Sequence, residues 1–193
     1  MKTLSVLLFV LTPFALVAQG IGLGIKAGAN FADAKMESLD VKSATSFHAG
    51  GYLNLNFSET FGIRPEVLWT GYKSKVDGDL GDVDFERNYI AIPVMLCFKP
   101  IPLLSLEAGP QFNILLNAEA DGDDIKNQLK KNEFGLGVGA GLHLPLGLNA
   151  GVRYIVGFTN ISDADPTNPN NVPEDIKNRT FQIYAGWTLF GGN

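Results

Sequence analysis

Residues 133–144 read E-F-G-L-G-V-G-A-G-L-H-L, and Gly135, Gly137 and Ala140 within them satisfy the G-x-G-x-x-[GA] spacing of a dinucleotide site. That chemistry needs its glycines in a turn between a strand and a helix, where backbone N–H groups meet a pyrophosphate. Gly22, Gly24 and Ala27 repeat the spacing near the N-terminus. Ser46 beside His48 is the one neighbouring pair of hydroxyl and imidazole that could serve as nucleophile and base, and His143 is the only other histidine. Asp77, Asp79, Asp82 and Asp84, then Asp121, Asp123 and Asp124, are carboxylates of the kind that ligate calcium. Neither run has the D-x-D-x-[DN]-G loop with a closing Glu, so both read as solvated loops. Cys97 is the single cysteine, which gives no intramolecular disulfide and no Cys/His zinc spacing.

Composition bounds the elements that hold these residues. With 193 residues, 46% hydrophobic and 18% charged, the chain suits one folded unit. Its 22 glycines follow no collagen period and form no linker, so they belong to ordered structure. A net charge of -5 leaves no basic footprint, which argues against DNA or RNA as a partner. At the start, Lys2 precedes an apolar run from Leu4 to Ala18 that contains Pro13 and ends in small residues. This is the pattern of a secretory signal peptide, with cleavage between residues 18 and 20, and it divides the chain into a signal over 1–19 and a mature domain over 20–193.

The mature sequence alternates with period 2 nearly everywhere. In the opening stretch Phe134, Leu136, Val138, Ala140, Leu142 and Leu144 fall on one face of a strand, and Glu133, the four glycines and His143 on the other. The stretch from Gly20 to Phe31 does the same, with Lys26 and Asn30 on its polar face. Six further segments follow, over 47–57, 61–72, 87–99, 104–118, 148–159 and 179–190. Their polar faces carry His48, Tyr52, Asn54, Arg64, Glu66, Thr70, Glu107, Gln111, Asn113, Asn117, Arg153, Gln182 and Tyr184. Eight strands of about 10 to 13 residues match tilted strands that cross a bilayer.

The joins alternate in length. Short ones at 58–60, 100–102 and 145–147 separate long polar ones near 32–46, 73–86, 119–132 and 160–178. Outer-membrane barrels have this asymmetry, short turns in the periplasm and longer loops outside, and an even strand number puts both termini in the periplasm. A soluble lipocalin-like barrel also has eight strands, but its outer face would be studded with Lys and Glu. Here the polar face is Gly, Asn, Thr and Gln with a few charges, a suitable interior, and the apolar face is left for lipid. Phe61, Trp69, Phe98, Phe158, Phe181 and Trp187, near strand ends, are expected to form interfacial girdles. The expected fold is therefore all-β, an eight-stranded antiparallel up-and-down transmembrane β-barrel.

The same alternation turns Lys26, Arg64, Glu66, Glu107 and Arg153 inward. A barrel of this size is filled by side chains, and charges inside it need partners, so these five are expected to form a buried barrel-interior network that plugs the lumen. An ion path through it is the functional alternative. For Ser46 and His48 a hydrogen-bonded interior histidine is the simpler reading than a catalytic pair, and no catalytic, cofactor or metal residue is assigned.

G-I-K-A-G-A-N-F at 24–31, I-R-P-E-V-L-W-T-G-Y at 63–72, N-Y-I-A-I-P-V-M-L at 88–96, E-A-G-P-Q-F-N-I-L-L at 107–116, A-G-V-R-Y-I-V-G-F-T-N-I at 150–161 and N-R-T-F-Q-I-Y-A-G-W at 178–187 cover the mature chain in order. In these pieces the chain resembles the PorT-like outer-membrane β-barrel family of Bacteroidetes envelopes. Two positions depart from the pattern: Ala91, where relatives often carry Glu, and Phe190, the C-terminal aromatic read by the barrel-assembly machinery, which here is followed by Gly-Gly-Asn. The resemblance implies an outer-membrane protein surrounded by lipid and lipopolysaccharide, assembled by that machinery, with a non-catalytic structural, binding or secretion-associated role among envelope or secretion proteins. A narrow channel for small solutes and a loop-mediated adhesion protein are the alternatives.

Overall fold

The period-2 segments close on themselves. The computed structural model describes residues 20–33, 41–43, 45–78, 81–120, 122–126, 130–159 and 179–191. Residues 1–19, expected as a signal peptide, and the Pro-rich stretch over 160–178 lie outside them. Eight long strands form the wall: β1 (Ile21–Asp33), β2 (Thr45–Asn56), β3 (Phe61–Gly78), β4 (Gly81–Ile101), β5 (Leu104–Ala120), β6 (Asn132–His143), β7 (Leu148–Gly157) and β8 (Arg179–Gly191). Each pairs antiparallel with the next. β8 then closes on β1, from Gly22↔Gly191 to Asp33↔Arg179, so the wall has no free edge. The G-L-G-V-G-A-G stretch lies within β6, and Pro145–Gly147 turns the chain into β7, with Leu146 at φ 65° and Gly147 at φ 78°. No helix follows those glycines, so they cannot present the N–H groups that a pyrophosphate needs.

Three strands outrun their sequence segments. β3, β4 and β5 are 18, 21 and 17 residues long. Residues 73–86, expected as a long polar loop, are instead a two-stranded ribbon paired up to Gly78↔Gly81. Charge pairing across the strands favours this: Lys73 sits opposite Glu86, with Nζ and Oε2 3.0 Å apart. Two short strands flank the ribbon where loops were expected, Val41–Ser43 beside β3 and Asp123–Asp124 beside β5.

Inside and outside follow the alternation except at bulges, one at Leu189 where β8 closes on β1 and one in β5. The ladder of β4 with β5 steps from Asn88↔Asn117 to Tyr89↔Leu115, leaving Leu116 as the extra residue of a bulge. Beyond it the parity reverses, so Asn117, expected inside, faces out, and Ala118 is buried in its place. Leu115 is buried too, and packs with Tyr72, Tyr89 and Ala118 as an apolar cluster.

The outward face is an apolar band. Ile25, Leu53, Val67, Leu96, Leu106, Val138, Val152 and Ile183 are all exposed, a surface that only hydrocarbon solvates without penalty. Aromatics bound the band at both ends. Phe31–Phe181, Phe112–Phe134 and Phe134–Phe158 contacts, with ring centroids 6.4, 5.0 and 6.0 Å apart, mark the long-connection end. At the short-turn end Phe61 packs on Phe98 at 5.0 Å, and Trp187 Nε1 donates to the Leu146 carbonyl at 3.0 Å. From Ile21 to Phe31 a tilted strand climbs roughly 25 Å along the barrel axis, the height of a hydrocarbon core.

Candidate functional site

Lys26 stands on β1, Arg64 and Glu66 on β3, Glu107 on β5 and Arg153 on β7, all turned inward by strand parity. The structure brings the five together in one layer. Lys26 Nζ meets Glu66 Oε1 at 2.7 Å. Arg153 donates from Nη1 to Glu66 Oε2 at 2.9 Å, and from Nη2 to Glu66 Oε1 at 2.8 Å and Glu107 Oε2 at 2.9 Å. Arg64 donates from Nη1 to Glu107 Oε1 at 2.6 Å and from Nε to Asn54 Oδ1 at 2.8 Å. No side chain in these ion pairs is more than 3% exposed. All four carboxylate oxygens are engaged, which is what ions withdrawn from water require.

Two tyrosines that strand parity turns inward, Tyr52 and Tyr184, complete the layer. Lys26 Nζ lies 3.8 Å from the ring centre of Tyr184, and the Arg64 guanidinium 5.2 Å from that of Tyr52. These ring faces carry negative quadrupole charge and partly balance the third cation. Strand parity reports a face and not a distance, so cation–π contacts across the lumen were not legible from the sequence.

Glycines supply the room. A Cβ on Gly137 would stand 3.4 Å from Arg153 Cδ and from Met95 Cε, and one on Gly28 would stand 2.6 Å from His48 Cε1. Gly24 lies against the Tyr52 ring, and Gly151 against Tyr184. The glycines on the inner faces of β1, β6 and β7 are therefore clearance for large polar side chains from neighbouring strands.

Above this layer, towards the long connections, lies a neutral network. Asn30 donates from Nδ2 to Thr70 Oγ1 at 2.8 Å, and its Oδ1 accepts from Gln182 Nε2 at 2.8 Å. His48 Nδ1 is 2.7 Å from the same oxygen and so carries the proton that it donates there. Ser46 Oγ is buried without a partner, so the Ser46/His48 pair does not form a hydrogen-bonded dyad. Glu133 stands apart from the five-residue layer and accepts from the Tyr89 hydroxyl at 2.6 Å. Below the layer, Tyr52 bonds Thr188 Oγ1 at 2.9 Å and accepts from Asn149 Nδ2 at 2.7 Å. Among the described residues, no group of three or more His, Cys, Asp or Glu is placed to hold a metal ion.

Comparison with solved structures returns outer-membrane proteins. Neisserial surface protein A is 17% identical, with 88% of this chain and 99% of that chain covered and a TM-score of 0.61. Ail, the attachment invasion locus protein of Yersinia pestis, solved with the heparin analogue sucrose octasulfate, is 15% identical over 87% of this chain and 98% of its own, TM-score 0.53. OprG from Pseudomonas aeruginosa is 12% identical over 89% and 97%, TM-score 0.51. At these identities the likeness is one of fold. No curated protein matches the sequence. A family model for the outer membrane protein beta-barrel domain matches residues 17–163, so the chain, with its lipid-facing band and closed eight-stranded wall, belongs to that outer-membrane β-barrel family.

Proposed function

We propose that this protein is a plugged, non-conducting outer-membrane barrel with a non-catalytic structural or binding role, exercised at its long-connection end in the secretion-associated manner that the PorT-like resemblance implies. One observation carries the reading: the five charged side chains at mid-lumen are at most 3% exposed and bonded to one another, which argues against a continuous water column. The narrow-channel alternative would have to break at least the Arg153–Glu66 and Arg153–Glu107 bonds. The other support is the ribbon of β3 and β4, which continues about eight residues past Thr70 into the space outside the membrane, where a binding partner is met. Ail, named for attachment, is a barrel of the same fold, and adhesion through the ribbon is the second reading.

On this reading residues 1–19 direct export and are removed, residues 20–193 form the barrel, and both termini lie in the periplasm. Lipid and lipopolysaccharide surround the band, the barrel-assembly machinery inserts it, and envelope or secretion proteins are its partners. The test is conductance. Refolded protein in a planar bilayer is expected to give no ohmic steps, and stable open channels would overturn the plugged reading. Turnover of labelled phospholipid or lipopolysaccharide by the same preparation would overturn the non-catalytic one.

A further inference from the structure

The charges of the lumen do not balance, and the excess lies towards the short turns. The central layer holds Lys26, Arg64 and Arg153 against Glu66 and Glu107, whose oxygens are all taken. Nearer the short turns, Lys99 on β4 adds a fourth cation. Among the described residues it forms no salt bridge, and its Nζ makes one long bond, 3.3 Å to Asn56 Oδ1 on β2. To make it, the side chain crosses the inner face of β3, where Gly62 presents nothing; a Cβ there would stand 2.8 Å from Asn56 Oδ1. Four cations against two carboxylates leave two positive charges. Glu133 does not compensate them, since it lies at the opposite end of β6 from His143, about 33 Å along the strand.

Buried donors without acceptors stand at the same end. Asn56 Nδ2, on the last residue of β2, and His143 Nε2, on the last residue of β6, have no partner among the described residues. Water would satisfy the donors but leave the charge. An anion satisfies both, because charge-assisted hydrogen bonds are strongest where the surroundings are least polar. We propose that the short-turn mouth of the lumen is a binding site for a small oxyanion, a phosphate or carboxylate group, held by Lys99 Nζ, Asn56 Nδ2 and His143 Nε2 with Arg64 behind them. The narrow lumen limits the bound group to a few atoms. The inference is independent of the proposed function, since a plugged barrel and a channel would both carry this mouth.

The test is a titration of isotope-labelled mature chain, refolded in uncharged maltoside micelles that contain no phosphate. Sodium phosphate and sodium acetate are added against sodium chloride at equal ionic strength, and side-chain resonances of Asn56 and His143 are followed. Saturable shifts at both residues are expected with phosphate or acetate and not with chloride. Lys99→Gln is expected to raise the apparent dissociation constant about tenfold. Lys73→Gln, an exposed lysine on the opposite ribbon, is expected to leave it unchanged. Shifts that never saturate, or an unaltered affinity in a folded Lys99→Gln, would overturn the proposal. If that variant does not fold, the wild-type titration still decides, because saturation without movement at Asn56 and His143 places the anion elsewhere.

Discussion

At the scale of single residues, Glu66 holds two of the buried cations, accepting from Lys26 once and from Arg153 twice. Glu66→Gln keeps the shape but withdraws the charge that holds two buried cations, a loss on the order of 3–5 kcal/mol. Its midpoint for heat unfolding in detergent, read from gel mobility with and without boiling, is expected to fall well below wild type, and Glu107→Gln to fall in the same direction. Unchanged midpoints in both would remove the network as a source of stability. Gly28→Val makes a steric test of the clearance: its side chain would meet the Ile183 carbonyl and the His48 imidazole, strain the ladder and the bond to Asn30, and lower the same midpoint. The five charges could be read as inward-facing from parity alone, since Lys26, Glu66 and Arg153 all sit between outward apolar neighbours. Their partners could not, because which strands face each other across the lumen depends on barrel closure and tilt. Glu133 illustrates the limit: parity put it inside with the others, and depth gave it to Tyr89.

At the scale of elements, strand count, closure order and facing were legible because lipid outside and a packed polar interior enforce strict alternation along each strand. Strand ends were not. Residues 73–86 look like loop because they are polar, and beyond the membrane a strand needs only ladder bonds and cross-strand pairs such as Lys73 with Glu86, not an apolar face. The bulge at Leu116 was equally hidden, since one extra residue leaves local composition unchanged while reversing parity for Asn117 and Ala118. The ladders carry a further signature. Pairing of β2 with β3 skips Leu53 and Asn54 opposite Pro65 and Arg64; that of β3 with β4 skips Glu66 and Val67 opposite Pro93 and Ile92; that of β4 with β5 skips Val94 and Met95 opposite Pro110 and Gly109. A proline has no N–H to give, so each seam loses ladder bonds at about the same depth, whereas β1 with β2 and β7 with β8 run unbroken. Hydrogen exchange in micelles is therefore expected to be roughly tenfold faster at the amides of Glu66 and Val94, which stand opposite Pro93 and Pro110, than at those of Ala27 and Ala185. Equal protection would mean that the prolines do not weaken the wall.

At the scale of the whole molecule, the chain is a cylinder with unlike ends. One end has turns as short as Ser58–Thr60 and Pro145–Gly147; the other carries the β3–β4 ribbon and the flanking short strands. Folding a barrel into an outer membrane from the periplasm requires one set of connections to cross the hydrocarbon, and an even strand number keeps both termini with the other set. The ribbon side is thereby expected outside the cell and the short turns in the periplasm. Cys97 makes this testable without a cysteine-free background, because it is buried and 3% exposed. With a membrane-impermeant maleimide on intact cells, Asp123→Cys, at an exposed position beside β5, is expected to be labelled, and Glu59→Cys, in the turn between β2 and β3, to react only after the outer membrane is permeabilised. The reverse pattern would invert the barrel, and with it move the Lys99 mouth from the periplasm to the cell exterior, where the oxyanions it meets would be those of the surroundings and not of the envelope.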